Sequence, residues 1–182
     1  MIDPLQQLVD KEAIRECLAR YARGIDRHDR AVLETAYWPD AVDNHLSFSG
    51  AVSDFIDFAF EYSRPMRTHH VLGQTLIAFA SDTEARTETY YVAAHERPMP
   101  AGPEELLIRG RYLDRFEKRG AEWRIIERTL TCDLYGVYPA TSDWRNGPYV
   151  AFGDTDAQRW PRDALYQAST STSRRSTASK VG

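Results

Sequence analysis

Apolar positions in the first part of the chain recur at helical spacing. Ile14, Leu18, Tyr21 and Ile25 stand four, three and four residues apart, one face of a 3.6-residue period. Gly24 weakens the end of this helix, and Asp26-Arg27-His28-Asp29 is a polar break. Asp10 is expected to cap its start, because a carboxylate accepts from the free amides of a first turn. Asp29 is expected to cap a second short helix over 30–37, which Pro39 cannot continue. A short extended piece over 41–45 follows. Phe55, Ile56, Ala59 and Phe60 then mark a helix over 53–62, ended by Pro65.

The pattern changes after residue 67. Runs over 68–80, 86–97, 106–118 and 122–137 are rich in Val, Ile, Thr, Tyr and Phe, with Ser81-Asp82 and Arg119-Gly120 as hairpin turns. Strict alternation places Thr68, His70, Leu72, Gln74 and Leu76 on one face of the first run, with His69, Val71, Gly73, Thr75 and Ile77 on the other. His95 shares a face with Thr89, Tyr91 and Ala93. Arg128 shares one with Arg124, Ile126, Leu130 and Cys132. Helices first and long strands afterwards predict an α+β fold rather than a parallel sheet. Strands this much longer than the usual ~5–6 residues imply a strongly curved sheet wrapped over the helices, a cone with a pocket inside.

Residues 138–168 hold Trp144, Pro148, Tyr149, Phe152, Trp160, Pro161 and Tyr166 without clear periodicity. They are expected to pack irregularly on the pocket mouth or a neighbouring subunit. The Ser/Thr-rich stretch 169–182 is expected to be disordered, so the folded domain is placed at 1–137.

Composition narrows the function. The 182 residues are 42% hydrophobic and 12% aromatic, enough for a core and a ring-lined cavity. A net charge of −4 speaks against nucleic acid and anionic membrane as partners. No apolar run approaches the ~18 residues of a membrane span, and the start lacks signal-peptide order. Cys17 and Cys132 are too few for a disulfide scaffold or a four-thiolate zinc site and are expected to be buried filler. A soluble cytoplasmic protein is the expectation.

No phosphate loop, Gly-rich dinucleotide turn or G-x-S-x-G elbow occurs, so no cofactor and no metal is expected. What remains is polar side chains where a core would be apolar. Asp26 follows Ile25 at the edge of the apolar stripe: either a solvated helix-end carboxylate, or one that faces inward and holds an imidazole. His70 alone fits a structural histidine, and Arg128 alone fits a salt bridge.

The stretches AIRECLARYARGIDRHDRAVL, THHVLGQTLI, YYVAAHE and RGRYLDRFEKRGAEWRIIERTL resemble the SnoaL-like branch of the nuclear transport factor 2-like superfamily. The similarity spans roughly residues 5–137, and within that branch the chain resembles scytalone dehydratase and γ-hexachlorocyclohexane dehydrochlorinase. The resemblance implies a cone-shaped α+β barrel, with N-terminal helices on a mixed, mostly antiparallel sheet. It places a catalytic Asp at Asp26, a catalytic His at His70 (Thr68 and Gly73 keep the T-x-H-x-x-G register) and an Arg at Arg128. A second histidine of the dehydratase pattern falls at His95. Ile25 stands where that pattern has tyrosine, which points away from scytalone. The dehydrochlorinase's lysine has no good equivalent, which points away from chlorinated cyclohexanes.

The activity this implies is a cofactor-independent lyase. Asp26 would fix the His70 tautomer, His70 would act as base, and Arg128 would stabilise developing negative charge. Elimination of water or halide, or aldehyde-releasing C–C cleavage as in lyases of lignin-derived diarylpropanes, needs the same parts. Tyr21, Tyr37, Trp38, Phe55, Phe58 and Tyr91 would supply aromatic wall for an aromatic or polycyclic substrate, and His95 would bind it or act as a second acid. The alternatives are a non-catalytic binding or dimerisation module of the same fold, a partner subunit without its own site, or a steroid isomerase. Val71, Ile77, Leu107 and Leu113 on the outer sheet face point to a homodimer or homotrimer.

Overall fold

The structure, a computed structural model, describes residues 3–142, 147 and 158–171. Helix α1 (Pro4–Arg27) starts at Asp3, whose carboxylate accepts from the Gln6 amide at 3.2 Å. That is earlier than the apolar stripe suggests. Pro4 sits in the first turn, where its missing N–H costs nothing, while Leu5, Leu8 and Val9 stay exposed and so add nothing to the stripe. Asp10 is therefore not the cap. It lies buried inside the helix and takes the Lys118 ammonium at 2.8 Å.

The helix ends at His28, which adopts the left-handed conformation with φ 49°. Gly24 is required by a close approach: a Cβ there would lie 2.7 Å from the Leu33 backbone. Helix α2 (Arg30–Glu34) is capped by Asp29, which accepts from Val32 N at 3.1 Å. It stops short of residue 37 because the chain turns into β1 (Tyr37–His45), with Pro39 inside that strand. The short β2 (Phe48–Ala51) precedes α3 (Val52–Ser63). The sequence reading omits β2, since its four residues carry one large apolar side chain and no alternation worth counting.

Four long strands follow as expected: β3 (Arg67–Phe79), β4 (Glu84–Arg97), β5 (Glu104–Arg119) and β6 (Glu122–Pro139). The sheet runs β2-β1-β6-β5-β4-β3. All neighbours are antiparallel except β1 and β6. The result is an open six-stranded mixed sheet with α1 and α3 packed against it, an α+β cone-like fold rather than a closed barrel.

Two irregularities change which side chains face inward. The β3–β4 register slips between Leu72 and Thr75. One added residue reverses the alternation beyond it, so Thr75, Ile77 and Phe79 turn inward and Leu76 is exposed. Ile77 thus belongs with the core, not with the outer face. In β6 a second slip, opposite Arg115 and Phe116, lets Ile125 and Ile126 both be buried. Arg128 faces inward after it, whereas Arg124 lies over the Trp38 ring; the two do not share a face.

Among the described residues the core contains Cys17, Leu18, Tyr21, Phe55, Tyr112, Phe116, Trp123 and Ile125. Cys17 is buried as expected, but Cys132 is exposed, in the outer part of β6. No helix among the described residues is long and apolar enough to cross a membrane.

The C-terminal segment returns to the end of α1. Trp160 N donates to Arg27 O at 2.8 Å, and the Tyr166 hydroxyl donates to Asp29 at 2.7 Å. Arg159 donates to the carbonyls of Ser63, Arg64 and Met66 at the end of α3. Helix α4 (Ala164–Ser171) closes this segment. Of the stretch 169–182 expected to be disordered, residues 169–171 fall in α4, while 172–182 and Trp144, Pro148, Tyr149 and Phe152 lie outside the described residues.

Candidate active site

A cavity of about 160 Å³ opens between the sheet and the helices. Tyr21 and Ile25 reach it from α1, and Phe55, Phe58, Ala59, Tyr62 and Ser63 from α3. The sheet supplies Thr68 and His70 from β3, Tyr91, Ala93 and His95 from β4, Leu106 and Ile108 from β5, and Leu130 from β6. His45 of β1 and the Leu46-Ser47 turn complete the wall. The lining is mostly apolar and aromatic with a few convergent polar groups, the usual make-up of a small-molecule site.

The end of α1 brings Asp26 against β3. Its Oδ1 lies 2.7 Å from His70 Nδ1, and its Oδ2 accepts from the His70 backbone N–H at 2.8 Å. Both side chains are only 7% exposed. Burial opposes the charge on Asp26, but hydrogen bonds from the His70 ring and backbone outweigh it and hold the carboxyl below its ordinary range. An ionised carboxylate only accepts, so Nδ1 of His70 must carry the proton. Its Nε2 is then the lone-pair nitrogen, on a ring that lines the cavity.

His95 stands beside it, ring centroids 5.3 Å apart. Neither of its nitrogens has a hydrogen-bond partner within the protein. Burial, the neighbouring His70 and the more distant His45 and Arg97 hold it down to about 4 against the pull of Asp26, so it is a neutral imidazole at neutral pH. A buried polar group without a partner costs ~1–3 kcal/mol, a deficit that a substrate oxygen in the cavity would remove.

Arg128 is placed differently from the sequence expectation. It is wholly buried, and its Nε and Nη2 donate to the two oxygens of Asp114 at 2.7 and 2.8 Å. The rings of Tyr21 and Tyr112 each lie 4.0 Å from the guanidinium carbon. Arg128 is not among the cavity-lining residues. Its Nε and Nη2 are committed to Asp114 and its faces are covered by aromatic rings, while Nη1 is buried without a hydrogen-bond partner.

Tyr37 and Trp38 also fall outside the cavity. Tyr37 is buried and donates to Asp43 at 2.6 Å. Trp38 donates to Glu117 O and lies beneath Arg119 and Arg124 on another face. The structure thus brings together Asp26, His70, His95, Tyr21, Phe55 and Tyr91, and leaves Arg128, Tyr37 and Trp38 out.

The sequence reading missed His45, Tyr62 and the β5–β6 residues of the wall. For His45 a signal existed: Ala41, Asp43 and His45 alternate along β1, so two polar groups face inward where a core strand would be apolar. Among the described residues, no group of three or more His, Cys, Asp or Glu is placed to hold a metal ion.

An open α+β cone with a carboxylate–imidazole pair at the base of an aromatic cavity defines the class of protein. Residues 6–129 match the SnoaL-like domain family, and the chain belongs to it. No curated protein sequence matches the chain. A scytalone dehydratase-like protein of Novosphingobium aromaticivorans superposes with a TM-score of 0.66 at 20% identity, over 75% of this chain and 93% of that one. A hexachlorocyclohexane dehydrochlorinase, LinA type 2, gives 0.70 at 17% identity, over 80% and 99%. Rv3472 of Mycobacterium tuberculosis, a protein described as of unknown function, gives 0.62 at 22% identity, over 72% and 76%. At these identities the likeness establishes the fold.

Proposed function

We propose that this chain is a cofactor-independent lyase acting on an aromatic small molecule. One observation carries the reading: Asp26 commits both carboxylate oxygens to His70, while the opposite ring nitrogen is left for an aromatic-walled cavity. A base oriented this way abstracts a proton from a carbon or hydroxyl of the substrate. Loss of water or halide, or aldehyde-releasing C–C cleavage, follows from the same abstraction. Dehydratase and dehydrochlorinase neighbours in the fold support elimination over other base chemistry.

The cavity size narrows the substrate. A volume of about 160 Å³ matches the space of one benzene ring, since an apolar cavity of ~150 Å³ takes benzene. One aromatic ring therefore sits inside. The rest of the molecule extends toward Leu46, Phe58 and Tyr62, which keep solvent exposure. His95, neutral and without partners, bonds a substrate oxygen.

The test is a mass-spectrometric screen of wild type and His70→Ala against hydroxylated aromatics, diarylpropanes, hydroxysteroids and halocarbons with no cofactor added. A product lighter by water, hydrogen halide or formaldehyde, made by wild type alone, is the expected result. A ligand retained unchanged by both proteins would instead make the chain a binding module. The exposed Val71, Leu76, Tyr90, Val92 and Leu113 share the outer sheet face. They support a homodimer or homotrimer, and sedimentation equilibrium would refute it by returning the monomer mass.

A further inference from the structure

A second carboxylate–imidazole pair stands beside the cavity, and its imidazole lines the wall. Asp43 and His45 lie two residues apart on β1 and face the same side. Asp43 is wholly buried. Its Oδ2 takes the Tyr37 hydroxyl at 2.6 Å, and burial holds that phenol far above its ordinary range, so it stays a donor. Its Oδ1 lies 3.3 Å from His45 Nδ1, at ion-pair distance though bent away from hydrogen-bond alignment, and has no other partner.

The buried charges around Asp43 leave it without a cation of its own. The buried cluster holds two carboxylates, Asp43 and Asp114, and one guanidinium, Arg128. Arg128 spends two donors on the two oxygens of Asp114. A buried charge without a partner is expensive, and His45 is the group within reach of Asp43 that can carry a compensating proton. Around the ring, Phe55 of α3 and Tyr112 of β5 pack at centroid distances of 4.9 and 6.3 Å. His95 of β4 faces it as a neutral imidazole, while Asp114 of β5 favours a positive charge on the ring. The His45 side chain keeps 20% exposure and lines the cavity. With Nδ1 facing Asp43, Nε2 is the nitrogen left for a ligand.

We propose that His45, held by Asp43, is the proton donor to the leaving group, working opposite the His70 base. The inference rests on the lyase reading above. In an elimination of water, His70 Nε2 takes the proton from the substrate carbon. The C–H electron pair forms the double bond, and the C–O bond breaks. The departing hydroxide takes the proton of His45 Nε2 and leaves as water. The cycle closes when His70 releases its proton to solvent and His45 regains one. This assignment supplies the acid that Arg128, locked to Asp114, does not.

The experiment compares wild type, His45→Gln, Asp43→Asn and His70→Ala on a matched pair of β-substituted aryl ketones, one losing hydroxyl and the other chloride. Hydroxide needs a proton to leave and chloride does not. His45→Gln and Asp43→Asn should lose ~10²–10⁴-fold on the hydroxyl compound and less than ~10-fold on the chloride. His70→Ala should lose both. Equal loss on both compounds, or no loss, in the two β1 variants while His70→Ala is dead overturns the proposal. Wild type inert on both overturns the lyase reading instead. A ligand-free measurement decides His45 even then: ¹⁵N-imidazole NMR should find its Nδ1 protonated in wild type and that preference lost in Asp43→Asn. An unprotonated Nδ1 overturns the assignment, and Asp43→Asn carries the test if His45→Gln does not fold.

Discussion

Asp26→Asn is the sharpest test of the site. The wild-type carboxylate accepts two hydrogen bonds from one residue, at 2.7 Å from the His70 ring and 2.8 Å from its backbone. Asparagine has nearly the same shape but only one acceptor oxygen; its other arm donates. One of the two His70 N–H groups must therefore face a donor. A backbone N–H cannot give up its proton, and leaving it unpaired in this buried place costs ~1–3 kcal/mol. The ring can yield, because histidine has a second tautomer. The carboxamide oxygen takes the backbone N–H, its NH₂ donates to Nδ1, and the proton moves to Nε2. His70 then presents a donor to the cavity where it needs a lone pair. In a catalytic triad the equivalent change costs ~10⁴ in rate, about 5 kcal/mol of barrier. Long-range ¹H–¹⁵N NMR on histidine-labelled protein reads the tautomer without any substrate. Nδ1–H in wild type and Nε2–H in the variant are expected, with turnover falling by the same few orders of magnitude. The same tautomer in both proteins, or undiminished turnover, would refute the reasoning.

Three further outcomes follow from the geometry. His95→Leu removes two unpartnered buried nitrogens, so the melting temperature should rise, by the equivalent of ~1–3 kcal/mol, while kcat/KM falls; a drop in melting temperature would mean the ring has a partner inside the protein. Arg128→Met leaves Asp114 buried and uncompensated, which should cost ~3–5 kcal/mol, whereas adding Asp114→Leu should restore most of it. A denaturant titration showing a small loss for the single variant would return Arg128 to the cavity. His28 and His95 are both held down to about 4, chiefly by burial, while in the unfolded chain they titrate near ~6.5. Between those values the unfolded chain binds more protons, so their stabilising contribution is complete above pH ~6.5 and is lost as pH falls toward 4. Melting curves at pH 7.5 and 5 should show the decline, and a flat profile would contradict it.

The periodicity of Ile14, Leu18, Tyr21 and Ile25, the turns at Ser81-Asp82 and Arg119-Gly120, and four long β-rich runs determine the α+β order by themselves. These are local signals, one side chain against its neighbours along the chain. Asp26 and His70 were legible too, through short motifs of the superfamily, and so was the face of His95, because β4 runs without a slip between Thr89 and His95. Other features depended on pairing between distant segments. The slip between Leu72 and Thr75 turned Ile77 inward, and the slip opposite Arg115 and Phe116 separated Arg124 from Arg128. A bulge is defined by the partner strand's register, which alternation along one strand cannot contain. Arg128 carries the right residue type at the motif position, yet Asp114 and two tyrosine rings enclose it. His45 carries no motif, yet the parallel pairing of β1 with β6 brings it to the cavity wall. Residue type and local period follow from the chain alone, whereas which polar groups end up sharing a buried space is decided only when the sheet closes over the helices.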